Sequence, residues 1–190
     1  ETTKMWKDDS VYGATSIAPY ESIFNEDLNG DGTAGIDVAS LTLSANDKNG
    51  VKLARDKDKA LYIVDGTRAK AIGNASWLEY SNSWDNGSNK NGAIAVEAVR
   101  DSNNNITGYK LALKMSNTYQ GISTVSWDIL KLDADAKVTY GYYDSATQAW
   151  KDDSVRGQKS IAPFEEFFGD DLNGDGRTGV DVASLTKVST

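Results

Sequence analysis

Apolar and polar positions follow two different periods along this chain. Over residues 41–44, 51–54 and 61–64 they alternate with a period of two, and turn signals such as Asn49-Gly50 separate the runs, which predicts short strands. Residues 94–99 and 109–115 flank the polar stretch 101–105 and predict a hairpin; residues 124–132 and 137–143 are expected to pair in the same way across 133–136. Residues 79–92 (EYSNSWDNGSNKNG) show neither period and read as a surface loop. The period changes near residues 20 and 164. Tyr20, Ile23 and Phe24 fall at i, i+3 and i+4, as do Phe164, Phe167 and Phe168, and each set makes one apolar face of a two-turn helix. Pro19 and Pro163 suit a first helical turn, and Glu21 and Glu165 suit the positive end of the helix. About eight strands and one helix per unit predict a mainly β fold: an antiparallel meander, a sandwich or a small barrel.

The two helices belong to an internal repeat. Residues 6–42 (WKDDSVYGATSIAPYESIFNEDLNGDGTAGIDVASLT) recur at 150–186 (WKDDSVRGQKSIAPFEEFFGDDLNGDGRTGVDVASLT), without gaps, at an offset of 144 and with 26 of 37 positions identical. An offset of that size is a whole domain, not one turn of a solenoid. Residues 1–42 are therefore expected to be the tail of a preceding unit, and 43–190 one complete unit that ends in the same tail. The parent is expected to be a tandem array of which this chain is an internal fragment.

Composition narrows the classes of function. The 190 residues carry a net charge of −8 with a pI near 4.6. That balance argues against nucleic acid, which calls for a basic stripe, and against anionic membrane surfaces. No apolar run approaches the ~18 residues that span a bilayer. Cys and His are both absent, which removes disulfides, thiolate nucleophiles, imidazole bases and the usual zinc, copper and iron sites. A domain outside the cell without disulfides needs another staple, and calcium is the obvious one.

The tails supply a motif for it. A hard dication takes six to eight oxygens at ~2.3–2.6 Å, offered from alternate positions of a loop. Asp27, Asn29 and Asp31 occupy loop positions 1, 3 and 5; Gly32 follows where a positive φ is needed, and Thr33 offers its carbonyl at position 7. Asp171, Asn173, Asp175, Gly176 and Arg177 repeat the arrangement. Arg177 is compatible with it because the position-7 ligand is a main-chain oxygen. An EF-hand has its closing Glu at position 12, where this chain has Val38 and Val182. Asp37 and Asp181 fall one residue early and either close the site with altered geometry or miss it. With an extended exit, the motif reads as helix, loop, strand. The ligand count predicts weak affinity, with Kd about 10⁻⁴–10⁻³ M, and two sites.

The run E-x-x-F-x-x-DLNGDG-x-x-G, together with an upstream tryptophan and GYKLALK…SWDILKLDADAKV, resembles the tryptophan-rich domain named from Synechocystis C-terminal repeats. The resemblance covers about residues 61–179, closely in the tail and more loosely in the strands. It implies an extracellular, repeated, calcium-dependent module of large bacterial surface or secreted proteins, S-layer-like or adhesin-like, with no agreed activity.

The remaining candidates are aromatic. Trp6 and Trp150 lie in the repeat and are expected to pack on the helix. Trp127 alternates with Val125 and Ile129 and reads as core. Trp77 and Trp84 flank the polar stretch and are the candidates for stacking on a sugar. Acids sit in the two loops and in solvated turns, so no catalytic group is assigned and no enzyme is expected. The N-x-S/T triplets at Asn74, Asn86 and Asn105 read as chance matches in Asn-rich loops. The leading expectation is a calcium-binding structural or adhesive repeat at the cell surface, whose partners are neighbouring units. Alternatives are a calcium-stabilised carbohydrate-binding module that takes surface polysaccharide and, more distantly, a carboxylate glycoside hydrolase.

Overall fold

A computed structural model describes residues 17–28, 30, 32–44, 48, 50–73, 77–139, 141–151 and 154–185. The chain divides into two compact units, Glu1–Ile36 and Asp37–Thr190. In the first, helix α1 (Ala18–Phe24) leads into a glycine-rich loop, with Pro19 in its opening turn and Asn25 closing it in the left-handed conformation at φ 54°. Ala18 and Glu21 are buried, while Ile23 and Phe24 are 75% and 60% exposed.

The second unit is built on two antiparallel sheets. A meander of β1 (Thr42–Leu43), β2 (Val51–Arg55), β3 (Leu61–Asp65) and β4 (Arg68–Ala71) forms the smaller one. The larger sheet contains β5 (Tyr80–Trp84), β6 (Gly87–Arg100), β7 (Ile106–Tyr119) and β8 (Ile122–Asp133), and it is edged beyond β8 by β11 (Val155–Gln158). Strands β9 (Tyr142–Asp144) and β10 (Ala149–Lys151) pair separately. The alternating runs place Val51, Leu53, Leu61 and Ile63 of the small sheet against Val96, Leu111, Leu113 and Leu130 of the large one, and all of these are buried in one cluster. Burial of this interdigitated apolar area, at roughly 25 cal/mol per Å², is the main force holding the sheets together.

The opposite face of the large sheet carries the second helix, α2 (Ala162–Phe168). Ala95, Ala112 and Ile129 meet Ile161 and Phe168, with Phe164, Phe167 and Trp127 at the margin. The helix face at i, i+3 and i+4 is therefore the face that packs. Lys48 ties the helix end to the sheet: its N–H donates to Glu97 at 3.0 Å and its Nζ to the Glu166 carbonyl. Lys110 Nζ lies 4.9 Å from the centre of the Phe167 ring.

A bulge in β6 resets which of its residues meet each cluster. Register shifts between Ala93 and Ala95, so Ala93 faces the small sheet, Ala95 faces α2 and Val96 faces the small sheet again. Three tight turns share one construction, an Asp that accepts N–H bonds from the residues two and four ahead around a left-handed residue three ahead. Asp56 does this with Lys59 (φ 66°), Asp101 with Asn104 (φ 65°) and Asp133 with Ala136 (φ 60°).

The fold differs from expectation in three places. The loop exits, read as extended, begin with 3-10 turns at Val38–Ser40 and Val182–Ser184, each capped by the preceding Asp. Residues 79–92 are not a loop: β5 pairs with the start of β6 from Tyr80↔Asn91 to Trp84↔Gly87. Every residue of β5 is exposed, and the aromatics Tyr80 and Trp84 share one face with Asn82 between them, so there is no run of buried apolar residues to read. Among the described residues, the segment after 136 pairs with β8 over a short stretch, through the bridge Leu132↔Val138 and the bonds Asp133 N–H to the Lys137 carbonyl and Thr139 N–H to the Lys131 carbonyl, both 3.0 Å, and β9 pairs with β10 instead.

Candidate metal centre

Both predicted loops leave their helix in the same way. Helix α2 ends at Gly169, φ 73°, whose N–H returns to the Glu165 carbonyl at 2.7 Å. The chain then turns back over the helix through Gly174, Gly176 and Gly179, at φ 80°, 87° and 96°. Their counterparts Gly30, Gly32 and Gly35 have φ of 76°, 91° and 120°.

Position 1 organises the loop. The Asp171 carboxylate accepts N–H bonds from Gly174 (2.7 Å), Asp175 (3.1 Å) and Gly176 (2.6 Å). Asp27 accepts from Gly30 and Gly32, both at 2.7 Å. Further along, Asn173 Oδ1 accepts the Asp175 N–H at 2.7 Å, and Asp175 Oδ1 accepts the Arg177 N–H at 3.0 Å. Asn173 Nδ2 donates to Asp175 Oδ2 at 3.0 Å. Carbonyl and carboxylate oxygens can each accept more than one bond, so these contacts leave oxygen capacity on the loop.

Sequence reasoning missed the residue that holds the loop to the helix. Glu165 is fully buried. Its Oε1 accepts the Leu172 and Asn173 N–H groups at 3.0 Å each, and its Oε2 accepts the Gly179 N–H at 3.0 Å. Glu21, equally buried, accepts from Leu28 and Gly35 at 3.0 Å. A buried carboxylate is costly unless hydrogen-bonded; here both ends of the loop supply the bonds. A signal existed, because Glu is identical in the two helices while its neighbours change from Tyr20, Ser22 and Ile23 to Phe164, Glu166 and Phe167.

The other candidates fall as follows. Asp181 caps the short 3-10 turn Val182–Ser184 through the Ala183 N–H at 3.0 Å and pairs with the Arg177 guanidinium. Asp37, in the second unit, caps Val38–Ser40 through the Ala39 N–H at 2.9 Å. Thr33 is half-buried. Asn29 and Asp31 lie outside the described residues, as does Trp6, and the Trp150 side chain is not described. Trp77 packs against the core between the sheets, whereas Trp84 is 41% exposed.

The chain matches no protein-family model, no curated protein and no solved structure. The metal question therefore rests on donor chemistry. Among the described residues, no three His, Cys, Asp or Glu side chains gather closely enough to hold an ion. The second loop nevertheless has the hard-oxygen set that suits calcium: the Asp171 and Asp175 carboxylates, the Asn173 amide oxygen and the Arg177 carbonyl. Two carboxylates and neutral oxygens, completed by water, fit a weakly held ion.

Proposed function

We propose that each Asp-x-Asn-x-Asp-Gly loop binds one calcium ion, and that the chain is a calcium-stabilised structural or adhesive repeat module of a large bacterial surface or secreted protein. The observation that carries this reading is the construction shared by the described residues of both loops. In each, a position-1 aspartate gathers glycine N–H groups, and a buried helix glutamate holds the far end. Asp171, Asn173, Asp175 and the Arg177 carbonyl would hold the second ion. Asp27 with the Thr33 carbonyl, joined by Asn29 and Asp31, would hold the first. The ion would supply charge compensation and a cross-link in a chain with no cysteine.

The tandem reading has its own support. Helix α1 carries Ile17, Ile23 and Phe24 exposed, at positions equivalent to Ile161, Phe167 and Phe168 of α2. Among the described residues of its unit no strand lies beneath them, whereas α2 packs on a sheet. This fits a unit whose helix belongs on the sheet of a neighbouring repeat. No helix among the described residues is long and apolar enough to cross a membrane.

Calorimetric melting with calcium, magnesium or chelator tests the proposal. At about 10–100 times Kd, each site should add about 1.4–2.7 kcal/mol. Magnesium should do less, because it resists dehydration and demands a stricter octahedron. A melting temperature indifferent to calcium would refute the structural role.

A further inference from the structure

Strands β6 and β7 run 14 residues each, but only their inner halves lie between the small sheet and α2. The outer halves, with β5 and the start of β8, form a four-stranded surface whose register places three rows on one face. The middle row aligns Asn82, Asn89, Asn117 and Thr124. The outermost aligns Trp84, Gly87, Tyr119 and Ile122, and the innermost Tyr80, Asn91, Met115 and Ser126. This is the same face that, nearer the core, carries Ala93 and Leu113.

Three properties of this face point to a ligand. First, its aromatic rings are displayed: Tyr80, Trp84 and Tyr119 are 44%, 41% and 53% exposed. Gly87 sets the Trp84 ring in place, because a Cβ at residue 87 would come within 2.7 Å of Trp84 Cζ2. The indole thus packs against Gly87, where a Cβ would also come within 2.3 Å of the Thr118 carbonyl oxygen. Second, the amides form a ladder. Asn117 Nδ2 donates to Asn89 Oδ1, which leaves the Asn89 amide N–H₂ as donor and the Asn117 carbonyl as acceptor. Such a pair is complementary to neighbouring hydroxyls, each of which both donates and accepts. Third, the three rows contain no Asp, Glu, Lys or Arg; by strand alternation Lys90 and Lys114 belong to the other face. Asp128, at the border with the core, is engaged by the Gly157 N–H at 2.7 Å and by Arg156.

We propose that this face binds a neutral polysaccharide, with Trp84, Tyr119 and Tyr80 stacking on sugar rings and Asn89 and Asn117 hydrogen-bonding their hydroxyls. Stacked rings with a few placed polar groups are what a flat, uncharged, hydroxyl-rich ligand requires. A protein partner would need an apolar interface core, and the rows offer only Ile122 and Met115 beside the aromatics. A shallow depression of about 260 Å³, lined by Tyr80, Asn89, Met115, Asn117 and Thr124, lies at the centre. Tyr80 and Trp84 stand four residues apart on one strand, or ~13 Å, a span for a short oligosaccharide instead of a single sugar.

The test uses the whole chain with cellohexaose, xylohexaose, mannohexaose and laminarihexaose, and with hexagalacturonate as the anionic control. Binding is read by saturation-transfer NMR and tryptophan fluorescence, with calcium and with chelator. The expected result is millimolar or tighter binding of at least one neutral hexamer. Tyr119→Ala should weaken it about tenfold, the loss of one stacking platform, and Asn117→Asp should weaken it too. Neither should move the melting temperature, because both side chains are exposed. Trp84→Ala uncovers Gly87 and is less diagnostic. The proposal fails if no neutral hexamer binds, if the uronate is preferred, or if both variants bind as wild type. It also fails if sedimentation reveals a dimer that Tyr119→Ala dissolves, which would make this a protein interface. Calcium binding by the loops is read separately and stands or falls on its own.

Discussion

Glu165 Oε2 and the Gly179 N–H meet at 3.0 Å across 14 residues of chain, and Glu21 reaches Gly35 at the same distance and separation. A single buried carboxylate thus spans each loop from its second position to its ninth. Glu165→Gln keeps the size of the side chain but replaces one acceptor oxygen with an N–H₂ group facing a donor. The expected cost is about 1–3 kcal/mol of stability, the penalty of a buried unsatisfied group. Calcium affinity should fall as well, because the loop loses its anchor. Urea titration and calorimetry of calcium binding would measure the two effects. Unchanged calcium affinity would separate the anchor from the metal site.

The Arg177–Asp181 pair sets a second expectation. The guanidinium occupies a carboxylate that the loop otherwise has available, and it adds a positive charge beside the oxygens. In the first loop position 7 is Thr33. Arg177→Thr should therefore raise calcium affinity at the second loop severalfold, and Arg177→Lys should have a smaller effect. Isothermal titration at low salt, where surface charge is least screened, is the measurement. An affinity that falls in Arg177→Thr would mean that the pair holds the loop in shape.

Gly176 isolates backbone conformation from packing. Its φ is 87°, and a Cβ there would meet nothing within 4 Å. Gly176→Ala should then cost about 1–2 kcal/mol from left-handed strain alone. The loss should appear in the melting temperature with calcium and with chelator alike. No loss in either condition would show that the loop relaxes out of this conformation at little cost.

Asp101 provides a pH expectation. The Asn105 N–H lowers its pKa from the ordinary value of 3.8, with help from the Asn105 side-chain amide and the Asn103 N–H. A carboxyl with a depressed folded pKa stabilises the fold fully above its unfolded pKa, and that stabilisation is lost as pH falls through the folded value. Stability should therefore decline below about pH 4, and Asp101→Asn should flatten that part of the curve. Urea midpoints taken across the acid range would show it; equal slopes for the two proteins would count against the turn.

Much of the fold was legible because burial writes a period into a strand. Val51, Leu53, Leu61 and Ile63 fall at alternate positions and lie in the core where expected, while Ala54, Tyr62 and Val64 between and beyond them are buried as well. The β5 hairpin was not legible, because a ribbon exposed on both sides has no buried apolar run, only Tyr80 and Trp84 on one face among Ser and Asn. The loop motif was legible as a run of oxygens and glycines, and the positive φ of Gly32 and Gly176 follows from that pattern. The role of Glu21 and Glu165 was hidden, because the N–H groups they accept come from chain up to fourteen residues away.

The sequence by itself determined a mainly β chain, the repetition of one helix and loop at an offset of 144, and the oxygen-rich chemistry of that loop. Only the tertiary structure decided which of these groups meet. Two helices of nearly one pattern end differently, Phe24 exposed and its counterpart Phe168 buried, because a helix face is apolar by sequence but covered only where another element packs on it. The tryptophans divide in the same way: Trp77 packs on the core and Trp84 packs against Gly87 at the surface. A side chain's chemistry is local, whereas its partners are set by the folding of distant segments around it.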